Sequence, residues 1–291
     1  MYLPSILDPS SHREAVGYFK HYFSLSLDLS KMDLLKEILS YFSQFPYENI
    51  SKIIKYYKYF DGITKIRLPY EVMDDHAQNH LGGTCFSLTF FLQTILVHSG
   101  FASYSVMADM RWGKHVHCAL LVKMNQRKYL VDPGYLLNQP MEINKDHNRV
   151  YKTAFSGVEL DFRKESEVYE LYTFNQNQRK WRYRFKDQPV TDEDFLNYWL
   201  ASFTWNSMHG LCLTKVEQDR MIYIHKTFMR ETGFDKKKNV NIKNNYHATI
   251  CQIFGIDSNL VEEALAAVEC NMAKEREMGI WVPKKEWRPM V

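Results

Sequence analysis

Residues 82–100 read GGTCFSLTFFLQTILVHSG. From Cys85 to His98 the apolar residues Phe86, Leu88, Phe90, Phe91, Leu92, Ile95, Leu96 and Val97 fall almost all round a helical wheel, so the spacing predicts a helix buried between layers. Gly100 stands where a C-terminal cap would end it. Beyond that glycine the period shortens to two, and FASYSVMADM (101–110), HCALLV (117–122) and RKYLVD (127–132) are predicted strands. Upstream, SHREAVGYFKHYF (11–23) and KMDLLKEILSYFSQF (31–45) carry helical spacing, the second stopped by Pro46. PYEVMDDHAQNH (69–80) is a further short helix with Pro69 in its first turn. Downstream, GVELDFR (157–163), VYELYTF (168–174) and KWRYRF (180–185) continue the β character, with NQNQ (175–178) as a hairpin tip. A helix over 192–203, short strands around 211–228, a solvated loop at Lys236–Lys238 and helices near 243–254 and 258–277 complete the chain. Helices first, then strands, then a mixed end is the order of an α+β protein.

The 291 residues suffice for two or three structural units. A content of 45% hydrophobic and 24% charged residues is that of a globular protein, and a net charge of +3 is too small to argue for nucleic acid. WRYRF (181–185) alternates cations with aromatics as nucleic-acid binders do, but without a wider basic field it is expected to be a solvated hairpin face. There is no uninterrupted apolar run long enough for a membrane span, and no secretory signal is expected. Five scattered cysteines without a CxxC argue against a disulfide framework and a structural metal site, and for a reducing, cytoplasmic setting.

Cys85 sits at the predicted start of the apolar helix, where the helix dipole favours a thiolate and free N–H groups can receive an oxyanion. A nucleophile needs a base, and the base an orienting group. If Val122 pairs with Arg127 across a loop of residues 123–126, His117 falls directly opposite Asp132 on one face, with Cβ atoms about 4.5–5.5 Å apart. In that register His115 faces Gly134, which cannot orient it, and it is expected at the pocket rim; Cys118 points to the other face, into the core. Cysteine at a helix start, with histidine and aspartate on adjacent strands, is the general arrangement of papain-like and transglutaminase-like sites.

Four segments in order, FPYENI (45–50), LGGTCF (81–86), HCALLV (117–122) and YLVDPGY (129–135), resemble those of the arylamine N-acetyltransferases, with weaker echoes in NYWLASFTWNS (197–207) and ICQIFGID (250–257). The resemblance implies a three-part fold: a helical bundle over 1–99 carrying the nucleophile, a β-barrel over 100–208 carrying His117 and Asp132, and a mixed α/β lid over 209–291. It implies ping-pong transfer of an acetyl or other acyl group from acetyl-CoA (or another acyl-CoA) to an arylamine, hydrazine or similar small amine. Cys85 would be acylated, His117 would shuttle the proton, Asp132 would fix the imidazole, and no metal would take part. Tyr47 matches a phenylalanine beside the family's acceptor pocket, and Tyr135 lies in the loop that borders its donor entrance; both are candidate substrate-binding residues. Glu48 and Asn49 are expected to be structural.

The family's Arg before Gly-Gly is Leu81 here, and its Glu two places after the cysteine is Ser87. An ion pair in relatives is thus expected to be replaced by neutral packing. Pro133 and Leu136 alter the donor loop, and the segment 262–291 has no family counterpart, so it is expected either to pack over the cleft or to mediate self-association. Three other readings stand beside acyl transfer from coenzyme A: an amide synthase using a carrier-bound thioester, a cysteine hydrolase of similar fold, and a non-catalytic binding protein.

Overall fold

The computed structural model describes residues 6–26, 28–60, 62–153, 155–217, 220–234 and 236–280. The apolar helix α5 (Cys85–His98) lies at its centre, with eleven of its residues buried. Its later turns (Leu88, Phe91, Leu92, Ile95, Leu96) share a core with helices α1 (Arg13–Tyr22), α2 (Lys31–Phe42) and α4 (Pro69–Asn79). Its first turns (Cys85, Phe86, Phe90) enter a second core, with α6 (Asp192–Ala201), α7 (Tyr246–Phe254) and α8 (Ser258–Glu277). A helix that is apolar all round can serve two cores at once, which is why it has no polar face to spare.

Strands β2 (Ala102–Met110), β3 (Gly113–Met124), β4 (Arg127–Val131), β5 (Met141–Glu142), β6 (Arg149–Lys152), β7 (Gly157–Arg163), β8 (Val168–Phe174) and β9 (Arg179–Phe185) form one antiparallel sheet in the order β5-β4-β3-β2-β9-β8-β7-β6. The edge strands β5 and β6 meet, so the sheet is nearly closed and barrel-like. Glu142 stitches this seam: Arg149 pairs with its carboxylate at 3.2 Å, and the Tyr151 hydroxyl donates to its carbonyl at 3.4 Å. A second sheet takes a two-residue strand, β1 (Tyr47–Glu48), from the helical part of the chain. It adds β10 (Cys212–Glu217), β11 (Arg220–His225), β12 (Phe228–Gly233) and β13 (Lys237–Asn241) in that order. The class is mixed helix and sheet, as expected.

The differences from expectation have local causes. Helix α3 (Ile50–Lys58) has no counterpart in the predicted elements, although Ile50, Ile53 and Ile54 carry helical spacing; it is only nine residues long and makes no side-chain cap bond at Asn49 to mark its start. Lys237 and Lys238 lie in edge strand β13 rather than in a loop; they are exposed as expected, and lysines on an edge discourage further pairing. The hairpin of β3 and β4 is tighter than assumed, with Met124 opposite Arg127 across Asn125 and Gln126. Both turn residues have positive φ (49° and 62°), as a two-residue type I′ turn requires. The register is therefore two residues away from the expected one, which preserves the face of every side chain. Helix α8 packs on α3: Asn271 donates to the Ile53 carbonyl at 3.2 Å, and Lys58 pairs with Glu263 at 2.9 Å. Within 262–291, residues 281–291 lie outside the described residues.

At the end of α4 the buried His76 stacks on Phe45 (centroids 3.9 Å apart), and its Nδ1 bonds the Leu81 carbonyl at 3.0 Å, just ahead of the glycine pair. Burial holds its pKa down to about 4, so it is neutral when folded at pH 7. Below about pH 6.5 the unfolded chain takes up this proton before the folded one does, so stability falls as pH drops from about 6.5 towards 4. This histidine should contribute a loss of about 2 kcal/mol between pH 7 and pH 5. Denaturant titrations should show that difference narrowing in His76→Gln; an unchanged difference would assign the acid sensitivity to other groups.

Candidate active site

The site begins with Gly82 and Gly83. Gly83 N–H donates to the Pro46 carbonyl at 3.3 Å, and Glu48 N–H to the Gly83 carbonyl at 3.0 Å, which holds β1 against the start of α5. A Cβ at Gly82 would overlap the Pro46 carbonyl oxygen, so only glycine permits this approach. Behind the pair lies the buried guanidinium of Arg67, donating to the Gly82 carbonyl at 2.7 Å and the Ser51 hydroxyl at 2.6 Å. It pairs with Asp75 at 2.5 Å and with the fully buried Glu48 at 3.6 Å. Leu81 is buried and the Ser87 hydroxyl donates to the Thr84 carbonyl at 3.1 Å, so neutral groups do occupy both departing positions. A buried cation still serves the turn, but Arg67 brings it from outside the motif.

Thr84 is the N-cap of α5 and makes no side-chain cap bond, so no side chain there occupies the first-turn N–H groups. Cys85 follows at N1. His117 projects from β3, and its Nε2 lies 2.8 Å from Asp132 Oδ2. In the observed register Asp132 lies one step past the last ladder pair, Leu120 with Val131. His117 therefore reaches it diagonally rather than from directly opposite, a span within reach of an imidazole. Asp132 is fully buried; it also accepts from the Tyr183 hydroxyl at 2.6 Å and from the Tyr135 N–H at 3.0 Å. It caps the short 3-10 turn Pro133–Tyr135, and Pro133 sits at N1, where a missing N–H costs nothing.

Gly134 lets this turn touch the cysteine: an added Cβ would stand 2.9 Å from both Cys85 Cβ and His117 Cε1. Next to it, Leu136 adopts a left-handed backbone (φ 53°) and buries its side chain in the cavity wall. The cavity encloses about 480 Å³ and brings together Cys85, His117, Tyr47 and Tyr135, with Lys52, Phe86, Trp112, Arg182 and Trp205 among its other walls. Asp132 stands behind His117.

The Cys85 thiol is held well below its usual range by a hydrogen bond from Cys118, against the opposing effect of burial, and by the hydrogen bond and charge of His117. Burial alone would lower the His117 pKa, but the charge and hydrogen bond of Asp132, with those of Cys85, raise it to about 10. Thiolate and imidazolium thus stabilise each other. Cys118 is buried in the core as expected, yet from the strand face opposite His117 it also interacts with Cys85.

His115 lies away from this cavity. A register irregularity between Ala108 and Met110 of β2 and the facing stretch of β3 gives it a positive φ of 55°, and its ring stacks on Tyr198 at 4.9 Å over a separate groove. In WRYRF, Tyr183 turns inward to Asp132, so the segment is not wholly a solvated face; its alternation was the available signal. Asn49 is structural as expected, donating to the Ser207 and Gly210 carbonyls at 2.9 Å each. Among the described residues no group of three or more His, Cys, Asp or Glu could hold a metal ion, and no helix is long and apolar enough to cross a membrane.

Compared with protein families, residues 31–262 match one described as N-acetyltransferase. Compared with curated proteins, the sequence gives no match. Among solved structures it is similar to the arylamine N-acetyltransferase from Mycobacterium abscessus, at 16% identity and a TM-score of 0.74 over 91% of this chain and 99% of that one. The Salmonella typhimurium arylamine N-acetyltransferase aligns at 14% identity and a TM-score of 0.69, over 87% of this chain and 98% of that one. The Mycobacterium marinum arylamine N-acetyltransferase in complex with CoA aligns at 17% identity and a TM-score of 0.71, over 89% and 98% of the two chains.

The lowered Cys85 pKa fixes the sign of a pH profile. Its thiolate persists below the usual thiol range, so alkylation by iodoacetamide should hold a plateau through neutral pH and fall only in acid. His117→Gln should move the profile upward and slow alkylation at pH 7 roughly tenfold. Gly134→Ala, which drives a methyl between Cys85 and His117, should shift it in the same direction. Rates of adduct formation by mass spectrometry check all three.

Proposed function

This chain belongs to the arylamine N-acetyltransferase family, and we propose that it moves an acyl group from coenzyme A to a small amine through an acyl-Cys85 intermediate. The observation that carries this reading is the Cys85–His117–Asp132 chain beside a half-open, largely apolar cavity. The thiolate attacks the thioester carbonyl, and the developing oxyanion is received by first-turn N–H groups of α5. The carbon–sulfur bond of the donor breaks, and coenzyme A leaves with the proton of His117. The amine then attacks acyl-Cys85, His117 takes its proton, and the amide departs as the thiolate returns. Asp132 holds the imidazole so that Nε2 keeps its proton and the other nitrogen works.

The donor's phosphates find a matching surface. A cleft that shares Tyr135, Arg182, Met221 and Tyr223 with the cavity is lined also by Lys180, Arg230 and Lys237, and no carboxylate lines it. Partial desolvation of the otherwise exposed Lys237, with the nearby Lys180, Arg230 and Arg182 cations, pushes its pKa down, a strain that an anion would relieve. In this reading residues 1–99 supply the nucleophile, 100–208 the base and its orienting group, and 209–291 a lid that helps hold the donor. Tyr47 and Tyr135 flank the reacting sulfur, towards acceptor and donor respectively. A reducing, cytoplasmic setting belongs to the same reading, because the chemistry needs Cys85 as the free thiol it is here.

Brief mixing with acetyl-CoA should add one acetyl group, mapped by peptide mass spectrometry to Cys85, and an added arylamine should discharge it as the amide. Cys85→Ala should abolish transfer, and Asp132→Asn should lower kcat/KM by at least about a hundredfold. Discharge at the same rate without an amine would make the protein a hydrolase. Failure of Cys85 to take an acyl group from any thioester would remove the mechanism.

A further inference from the structure

Lys52 is a buried cation that the acyl-transfer mechanism does not use. It lies on α3 at 6% exposure and lines the cavity that holds Cys85. Its Nζ donates to the Ser202 carbonyl at 3.0 Å and the Ser202 hydroxyl at 2.6 Å, and stands 4.5 Å above the Phe203 ring and 5.8 Å above that of Trp205. These partners are neutral. Among the described residues no carboxylate is among the groups that act on its charge, and none lines the cavity. Burying an ammonium without a carboxylate partner is costly, and burial pulls the Lys52 pKa down to about 7. A carboxylate arriving beside it would restore the charge, whereas an apolar side chain of similar length would fill this wall without that cost.

The Cys85 thiolate is the first charge that favours the protonated Lys52, yet Lys52 ranks behind Cys118 and His117 in holding that thiol down. Acylation of Cys85 would remove the thiolate charge and leave Lys52 without it. Nor does Lys52 serve the donor's phosphates. The basic cleft opens at the Arg182 and Tyr223 end of the cavity, and Lys52 is not among the residues the two share. Its own neighbourhood is aromatic: Phe86 and Trp205 lie 6.1 Å apart, and Trp205 meets Trp112 edge-on at 5.0 Å. A flat ring or short chain fits among these, with its charge towards Lys52.

We propose that Lys52 makes this site selective for a substrate that carries a carboxylate, by pairing the buried ammonium with it while the reacting end lies at Cys85. The inference rests on the acyl-transfer reading for which end of the substrate reacts. The carboxylate belongs either to the amine acceptor or to a dicarboxylic acyl group, and kinetics separate the two. The acceptor arm compares 4-aminobenzoate with its methyl ester, using acetyl-CoA. The donor arm compares succinyl-CoA with butyryl-CoA, using aniline.

The wild-type protein should prefer the charged member in one arm, mainly through KM. Lys52→Met should lower the charged-to-neutral ratio of kcat/KM by about 10- to 100-fold, and Lys52→Arg should retain part of the preference. Equal losses for both members, or no wild-type preference in either arm, would overturn the proposal. A second measurement needs no turnover: benzoate and succinate, with benzamide and succinamide as neutral counterparts, are tested for protection of Cys85 from iodoacetamide. Protection by a carboxylate at lower concentration than its amide, weakened in Lys52→Gln, supports the proposal even if no acyl transfer occurs. Equal protection by both members of each pair rejects it even if transfer does occur and Lys52→Met fails to fold.

Discussion

A carboxylate with no access to solvent must have its charge answered from within, and Asp132 is such a group. Its three donors come from three places in the chain: the imidazole of His117 on β3, the hydroxyl of Tyr183 on β9 and the N–H of Tyr135 in the turn that Asp132 itself caps. Satisfying one charge therefore fixes the relative positions of two strands and a turn. Removing the tyrosine hydroxyl would strand part of that charge, so Tyr183 acts on the histidine through the aspartate as well as by direct ring contact at 4.9 Å.

A second buried charge network secures the other side of the cysteine. Arg67 holds Glu48, Asp75 and the carbonyl of Gly82, binding the strand at Tyr47–Glu48, the end of α4 and the glycine turn into one unit. Helix α8 then braces α3, and Glu275, fully buried, bonds His209 at 2.7 Å close to the cavity wall. Most of α8 lies beyond the segment that matches the family, yet it packs on the helix that carries Lys52. The helix that carries Lys52 is thus braced by a piece of chain outside the matched region.

Elements with clear ends were legible in the sequence, whether apolar all round or alternating, whereas the short amphipathic α3 was not. Helix α5 begins at Cys85 and ends at His98 as the wheel and Gly100 imply, and β7 and β8 keep their expected limits. The proximity of His117 and Asp132 was legible for a partly mistaken reason: the hairpin turns two residues later than assumed, and an even shift leaves both side chains on one face. What escaped were residues whose role depends on distant partners. Arg67 reaches the Gly82 carbonyl and Lys52 reaches Ser202 only through tertiary packing, and neither lies in a motif. Edge strand β13 escaped because an exposed, lysine-rich strand lacks the alternation by which strands are recognised.

Leu136 carries a different kind of information. Its backbone is left-handed, a conformation that costs a leucine about 1 kcal/mol relative to glycine. Glycine would remove that cost but also a side chain from the cavity wall. At this position the shape of the pocket wall is held at the expense of backbone comfort. Replacing Leu136 with glycine would therefore exchange a relaxed turn for a wider cavity, so the backbone and the pocket cannot both be at their best in this turn.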